Sequence, residues 1–227
     1  MKKSELNVTF KIFFEDSYEY TEIINNILRA KKVVWKKEHK KEIVEAMIIK
    51  YLTLWEMFIE NLLIDCFNKD TSKYSEYSQI YIPKHLTRNI CHSILNWLWF
   101  FDVKSMSNLK NISKNILVKK YNPFLIKNNE TKKIYEKIEE FYIIRNYISH
   151  LSKKAENSYK KKLSENYWYK RIPKVGDFII SKETNWEYRI INYINAFNNV
   201  SVYFLDFAQK NNLINKEIFE ENFDITK

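Results

Sequence analysis

The stretch that decides the fold is KEIVEAMIIKYLTLWEMFIENLLIDCFN, residues 41–68. Drawn as a helix, this run is apolar around most of its circumference, and its narrow polar stripe consists of Glu45, Thr53, Glu56 and Glu60. A helix that is hydrophobic on nearly every side has to be enclosed by other parts of the protein. We therefore predict that residues 41–68 form the central helix of a helical bundle.

Other segments of the chain carry the same helical pattern of apolar residues. Their spacing predicts helices at about residues 18–37, 83–101, 107–119, 131–152 and 182–210. The first of these carries lysines on its far side, which indicates a peripheral amphipathic helix. We expect the aromatic cluster Trp97–Phe101 to lie in the core. The polar, tyrosine-rich segment 71–82 is expected to be a loop.

The composition also favours an all-α fold. The 227 residues include one glycine, Gly176, and three prolines, which leaves little material for the tight turns that β-sheets require. A short β-hairpin near residues 167–181 is nevertheless compatible with the turn-forming Pro173 and Gly176 and with the apolar run Asp177–Ser181.

No linker, repeat or low-complexity segment divides the chain. We therefore expect one domain over residues 1–227. Its core helices should span about residues 18–152, with the basic segment 153–181 and the C-terminal helix 182–210 packed on them.

The chain is strongly basic, with a formal net charge of +10 and a pI near 9.3. Such a charge favours association with a polyanion, because neutralising phosphates releases condensed counterions. A genome biased toward A and T also produces chains rich in Lys, Asn, Ile and Tyr, so the charge alone leaves nucleic-acid binding open.

Other features of the sequence bear on compartment and cofactors. Cys66 and Cys91 are isolated in apolar segments, without the spacing of a zinc site or a disulfide framework, so we expect buried thiols in a reducing compartment. The first residues do not resemble a secretory signal, and the charges within residues 43–67 argue against a bilayer span. The expectation is a cytoplasmic protein that needs no membrane, metal or cofactor.

A polar motif, Arg145-Asn146-Tyr147-Ile148-Ser149-His150, closes the helix predicted at residues 131–152. On an ideal helix, a spacing of five residues separates Arg145 from His150 by about 140° of rotation, so one straight helix presents them poorly to one ligand. The pair becomes useful if the helix end is distorted near His150, or if two such helices meet across a two-fold axis.

This motif resembles the signature of the HEPN superfamily, in which an arginine and a polar residue, often asparagine, precede a histidine four to six positions after the arginine. In that family the motif closes a long helix of a helical bundle. The run Leu54–Glu60 is similar to the central helix of several bacterial HEPN ribonucleases, and this likeness makes Glu56 a partner for Arg145. The resemblance covers roughly residues 20–155 and is strongest over the motif itself.

The resemblance implies a HEPN-like bundle that cuts RNA without a metal ion, as a homodimer with a composite active site. It also implies a toxin-antitoxin or antiphage defence system, with its partner protein, as the biological setting. The residue types suit this chemistry independently of the name. His150 can exchange protons near neutral pH, Arg145 can hold a phosphate through its planar fork, and Asn146 can orient either one. A ribose 2′-hydroxyl nucleophile would leave a 2′,3′-cyclic phosphate and a 5′-hydroxyl.

Lysines and aromatic residues alternate in the segment that follows the motif. Single-stranded RNA needs this mixture, since bases stack on rings while phosphates meet lysines. We predict RNA contacts from Lys153, Lys154, Tyr159, Lys160, Lys161, Lys162, Lys170 and Arg171.

Plainer interpretations stand beside these hypotheses. His150 is also explained as a cation at a helix C-terminus, where the helix dipole favours positive charge, and Glu56 as a polar position that faces solvent. A second run, Arg88-Asn89-Ile90-Cys91-His92, starts like the motif but has one residue fewer before the histidine, and we expect an ordinary core-edge pair there. Two other functions remain open, a non-catalytic RNA or nucleotide binder of the same fold and a helical interaction subunit such as an antitoxin.

Overall fold

The computed structural model describes residues 5–30, 36–97, 105–125, 129–167, 169, 171–183 and 187–214. Regular structure within these ranges is helical, which confirms the predicted all-α fold class. The helices are α1 (Glu5–Arg29), α2 (Lys37–Lys69), α3 (Ser72–Ser78), α4 (Arg88–Trp97), α5 (Met106–Ile116), α6 (Asn129–His150), α7 (Lys153–Tyr167), α8 (Val175–Ile179) and α9 (Arg189–Lys210). Two short 3-10 turns, Lys119–Tyr121 and Pro123–Leu125, lie between α5 and α6. No described helix combines the length and the apolar character that crossing a membrane demands.

Helix α2 lies at the centre of the bundle, as its sequence predicts. Its Trp55 is fully buried, and the rings of Phe13, Phe58, Phe197 and Phe204 surround it with centroids 5.0–6.5 Å away. Aromatic contacts of this kind add about 0.5–1.5 kcal/mol per pair to the stabilisation from buried area. Because the surrounding rings belong to α1, α2 and α9, one indole side chain joins three helices.

Helix α1 is longer than predicted and is not peripheral. It starts well before residue 18, and its Phe10 and Phe13 are fully or almost fully buried. Val8 and Ile12 are exposed and lie between these core positions, so the apolar residues alternate along the chain as they do in a strand. This alternation hides the helical spacing of the buried residues.

Polar contacts fix α1 antiparallel to α2. Ser17 Oγ lies 2.9 Å from the hydroxyl of Tyr51, and the same Ser17 oxygen donates to Asn198 Oδ1 of α9 over 2.6 Å. Nearer the start of α1, Thr9 Oγ1 donates to the buried carboxylate of Asp65 over 3.0 Å. The hairpin is therefore held by buried hydrogen bonds as well as by aromatic packing.

The segment between α2 and α4 differs from its prediction. Residues 72–78 form the short helix α3 where a loop was expected. The hydroxyl of Thr71 donates to the carbonyl of Pro83 over 2.6 Å, which ties the connecting segment back to the end of α2. Pro83 therefore does not start a helix, and α4 begins later, at Arg88.

The aromatic cluster after α4 was assigned to the core. Trp97 is 80% exposed, so for this residue the assignment was wrong. The remaining cluster residues, 98–101, lie outside the described ranges.

A short helix, α8, replaces the predicted β-hairpin near residues 167–181. The run 177–181 was expected to be a strand, but Val175–Ile179 are helical, and the described ranges contain no strand. Within the described ranges, an isolated antiparallel bridge pairs Lys182 with Tyr188 just before α9, which begins at Arg189 rather than near residue 182.

The reason for a helix at this point is its contact with α2. A Cβ atom on Gly176 would lie only 2.9 Å from Lys41 Cβ, so glycine allows α8 to approach α2 closely. Asp177 pairs with Lys41 over 2.7 Å and with Lys37 over 3.1 Å. The hydrogen bond from Lys41, together with that from Lys37, lowers the pKa of Asp177.

The basic segment after the motif forms helix α7, which folds back along α6. Its end reaches Glu140, a buried carboxylate on α6. Glu140 accepts hydrogen bonds from Asn166 Nδ2 over 2.6 Å, from the Tyr167 hydroxyl over 2.7 Å, and from the Tyr193 hydroxyl of α9. One carboxylate thereby joins α6, α7 and α9. Burial, followed by the nearby Glu140 charge, raises the pKa of Tyr193 well above its ordinary value.

Replacing Tyr193 by phenylalanine should lower the free energy of unfolding by about 1–3 kcal/mol, because buried Glu140 loses one of its donors. Tyr203→Phe is the matched control on the same helix, where the hydroxyl donates to Glu130 at the surface over 2.8 Å. It should change the free energy of unfolding by less than about 0.5 kcal/mol. Urea unfolding followed by circular dichroism measures both values, and equal losses would contradict the role given to Glu140.

Candidate active site

Helix α6 carries the whole motif and stays regular through its last residue, His150. Leu151 ends the helix in the left-handed region, with a φ of 44°, and its N–H still donates to the carbonyl of Tyr147 over 3.1 Å. The distorted helix end that would turn His150 toward Arg145 is therefore not present.

Arg145 meets the predicted Glu56 across the α2–α6 contact. Its Nη2 lies 3.5 Å from Glu56 Oε1, and its Nη1 donates to Asn146 Oδ1 over 3.1 Å. The two charged side chains are 27% and 32% exposed, so solvent reaches both. A guanidinium held in this way keeps a fixed position while remaining open to a ligand.

His150 is exposed, and its side chain makes no hydrogen bond or ion pair with the described residues. On a regular helix it lies about 7.5 Å along the axis and about 140° around it from Arg145. The structure thus brings Arg145, Asn146 and Glu56 together and leaves His150 apart from them in one chain. Its place at the C-terminus of α6 also agrees with the plainer interpretation of a cation near the negative end of a helix dipole.

One residue that sequence reasoning did not assign to the site, Tyr142, lies close to Arg145. Tyr142 is buried one turn before Arg145 on the same face of α6. Burial and then the charge of Glu56 raise the pKa of Tyr142, while Trp55 and Arg145 act in the opposite direction. The spacing of three residues between Tyr142 and Arg145 was the available signal for this contact.

Helix α7 starts immediately after the motif. Ser152 caps it, with Oγ accepting from the N–H of Ala155 over 3.2 Å. Lys153 and Lys154 follow in its first turn and are exposed. The positive end of the helix dipole adds to these two charges beside His150, and Glu156 in the same turn offsets part of them.

The other predicted RNA contacts are less uniform. Lys160 pairs with Glu156 over 2.5 Å and Lys161 with Glu165 over 3.9 Å, whereas Lys162 is half-buried and Arg171 is exposed. Lys170 lies outside the described ranges. Lys153, Lys154 and Arg171 are therefore the cations best placed to meet a phosphate.

Tyr159 does not offer a stacking surface to RNA. Its side chain is buried, its ring stacks on Tyr147 with centroids 5.0 Å apart, and its hydroxyl donates to the carbonyl of Pro173 over 3.1 Å. The assignment of Tyr159 to base stacking is corrected, because the residue packs α7 against α6. Sequence pattern alone does not separate these two uses of an aromatic ring.

The second arginine–histidine run has the structural role expected of it. Arg88 Nε donates to the buried Asp65 Oδ1 over 2.8 Å, and its Nη2 donates to Asn61 Oδ1 over 2.6 Å. His92 lies 3.3 Å from Glu60. The donors of Arg88 are therefore used by Asp65 and Asn61 of α2, at the edge of the core between α2 and α4.

A groove of about 960 Å³ lies between α1, α2 and α4, away from the motif. Its lining includes Val8, Ile12, Leu54, Met57 and Arg88. Among the described residues that line it, Arg88 is the one arginine and there is no histidine, and Arg88 already binds Asp65 and Asn61. Proton-transfer chemistry therefore fits the surface around Arg145 and His150 better than this groove.

Comparison of the chain with known protein families, with curated proteins and with solved structures finds no match. Within the described ranges, no three His, Cys, Asp or Glu side chains are grouped so that they could hold a metal ion.

Ser152→Ala should lower the free energy of unfolding by about 1 kcal/mol, because the first turn of α7 loses its cap. Ser158→Ala is the matched control inside the same helix, where the hydroxyl donates back to the carbonyl of Lys154 over 3.0 Å. That change should be neutral or slightly stabilising, since alanine is the better helix former. Thermal unfolding compares the two variants, and an unchanged Ser152→Ala protein would contradict the capping assignment.

Proposed function

We propose that this chain is a HEPN-type endoribonuclease that acts as a homodimer and needs no metal ion. One observation carries the proposal: Glu56 and Asn146 hold the Arg145 guanidinium at the surface, on a helix whose exposed end is His150. A fixed cation and a free imidazole are the two groups that RNA cleavage through the 2′-hydroxyl requires.

Each group has a distinct role in the proposed reaction. Arg145 holds the scissile phosphate and stabilises the charge that builds on its oxygens. His150 takes the proton from the 2′-hydroxyl or gives one to the departing 5′-oxygen. Asn146 orients the guanidinium through the hydrogen bond described above. The products are a 2′,3′-cyclic phosphate and a 5′-hydroxyl, so DNA is not cut.

The homodimer follows from the separation of Arg145 and His150. Since α6 is regular, the two side chains of one chain do not converge, whereas a two-fold axis can place Arg145 of one copy opposite His150 of the other. Phosphates on either side of the cut would meet Lys153, Lys154 and Arg171. The role in toxin-antitoxin or antiphage defence rests on the family likeness alone.

His150→Ala should abolish cleavage of RNA without changing the far-ultraviolet circular dichroism, because an exposed side chain contributes little to stability. His92→Ala is the matched control, a second exposed histidine that lies outside the proposed site, and should cut at the wild-type rate. Gel analysis of transfer and messenger RNA, with and without EDTA, measures both. Full activity of His150→Ala, or loss of wild-type activity in EDTA, would refute the mechanism.

Mixing two inactive variants tests the composite site. Arg145→Ala and His150→Ala should each be inactive, but an equimolar mixture that exchanges subunits should regain about a quarter of the wild-type rate, because half of the dimers are mixed and each holds one intact site. Sites formed within single chains give no such recovery. Sedimentation analysis of the same samples reports whether dimers form.

A second candidate function, a helical interaction subunit, is favoured by the groove between α1, α2 and α4. Its two long walls each extend over about three helical turns, roughly 16 Å, which suits one amphipathic helix of a partner protein. The exposed Val8, Ile12 and Met57 would lie along that helix. A chain with this role alone leaves RNA uncut and unbound, so the gel analysis would show no cleavage by the wild-type chain.

A further inference from the structure

Three buried polar atoms in the α2–α6 contact make no hydrogen bond of good geometry: Trp55 Nε1, the hydroxyl of Tyr142 and Arg145 Nε. The Trp55 indole nevertheless lies close enough to the Tyr142 oxygen to lower the pKa of that hydroxyl. Trp55 is fully buried and Tyr142 is 4% exposed, so bulk water does not satisfy their polar groups. Each unpaired buried group destabilises a protein by about 1–3 kcal/mol. Native proteins contain few such groups, so three at one place need an explanation.

The three atoms belong to one cluster around Glu56. Trp55 directly precedes Glu56 in α2, and Tyr142 lies one turn before Arg145 on α6. Glu56 is the largest charged influence on Tyr142. The buried Tyr142 hydroxyl is therefore close enough to the Glu56 carboxylate to sense its charge, while Arg145 Nη2 contacts the carboxylate at the outer edge of hydrogen-bonding range, 3.5 Å.

The donors and acceptors of the cluster match if the carboxylate moves inward. An indole N–H and a guanidinium Nε–H can only donate, a phenol both donates and accepts, and a carboxylate only accepts. Trp55 can donate to the Tyr142 oxygen, while the Tyr142 hydroxyl and Arg145 Nε both donate to Glu56. All three orphaned groups are then paired, and the outer edge of the guanidinium no longer holds a carboxylate.

An anionic substrate gives a reason for this movement. A phosphate that approaches Nη2 of Arg145 competes with Glu56 for the same donor and is repelled by its charge. A second position for the carboxylate, lined by Tyr142 and Arg145 Nε, removes that conflict and keeps the arginine oriented from behind. The guanidinium can then present its planar edge to two phosphate oxygens.

We propose that Tyr142 is a positioning residue, which acts through Glu56 and rests on the proposed function for its catalytic meaning. Its hydroxyl, together with Arg145 Nε, forms an inner seat for the Glu56 carboxylate. Occupation of this seat frees the outer nitrogens of Arg145 for the phosphodiester.

The first test is a double-mutant cycle on unfolding, made in phosphate buffer so that inorganic phosphate supplies the anion. Tyr142→Phe should lower the urea midpoint of the wild type, and it should lower that of Glu56→Ala clearly less, because the partner of the hydroxyl is already gone. Tyr135→Phe is the control, a half-buried tyrosine of α6 whose buried hydroxyl has no partner. It should shift the midpoint equally in both backgrounds. Equal shifts for Tyr142→Phe as well would overturn the inner seat.

The second test measures cleavage of an RNA oligonucleotide. Tyr142→Phe should lower kcat about tenfold with little change in KM, since it alters how Arg145 meets the reacting phosphate rather than how the strand binds. Tyr135→Phe should keep both values. A wild-type rate for Tyr142→Phe in an active enzyme would overturn the positioning role.

The two tests separate this inference from the proposed function. A wild-type protein that does not cut RNA refutes the ribonuclease, while the unfolding cycle still decides whether Tyr142 and Glu56 are coupled. A wild-type protein that cuts RNA but shows no coupling refutes the inner seat alone.

Discussion

Trp55 fills the space between α1, α2 and α9, and an indole ring enclosed by four phenylalanine rings leaves those helices little freedom to slide. Glu56 follows Trp55 directly, so core packing rather than a loop sets the position of this carboxylate. Groups mounted on packed helices are held more precisely than groups on loops. The contact between Glu56 and Arg145 is thus a consequence of how the centre of the bundle is filled.

Helix α6 uses its successive faces for different purposes. Ile138, Phe141 and Ile144 are fully buried in the core, Glu140 joins the neighbouring helices, and Arg145 faces α2. Because each residue turns the helix by about 100°, an insertion of one residue in α6 would exchange these faces. The same rotation explains why Arg145 and His150 of one chain point in different directions.

Sequence patterns predicted the parts of the fold that depend on local periodicity. The central helix and the motif helix were found within a few residues of their ends, because long apolar runs specify a helix strongly. Helix α1 was cut short by the exposed Val8 and Ile12, which are apolar without being in the core. Helix α8 was mistaken for a strand because five residues are too few to reveal a period, and its contact with α2 is not local.

The candidate site was also predicted only in part, because some of its contacts are not local in sequence. The likeness of the motif pointed to Arg145 and Glu56, which do meet, but it gave no hint that Tyr142 and Trp55 leave polar atoms unpaired beneath them. Glu140 was not singled out, since its donors lie 26 to 53 residues further along the chain. Contacts of this kind arise only when separate helices are packed together.

Glu140 has a consequence for how the basic helix meets other molecules. If α7 detached from the bundle, the buried carboxylate of Glu140 would lose two of its donors, Asn166 and Tyr167. This loss opposes detachment by several kcal/mol. The lysines of α7 therefore project from an ordered helix that is fixed to the bundle. If a polyanion binds there, as proposed, it loses little affinity to ordering of the backbone, because the backbone of α7 is already ordered.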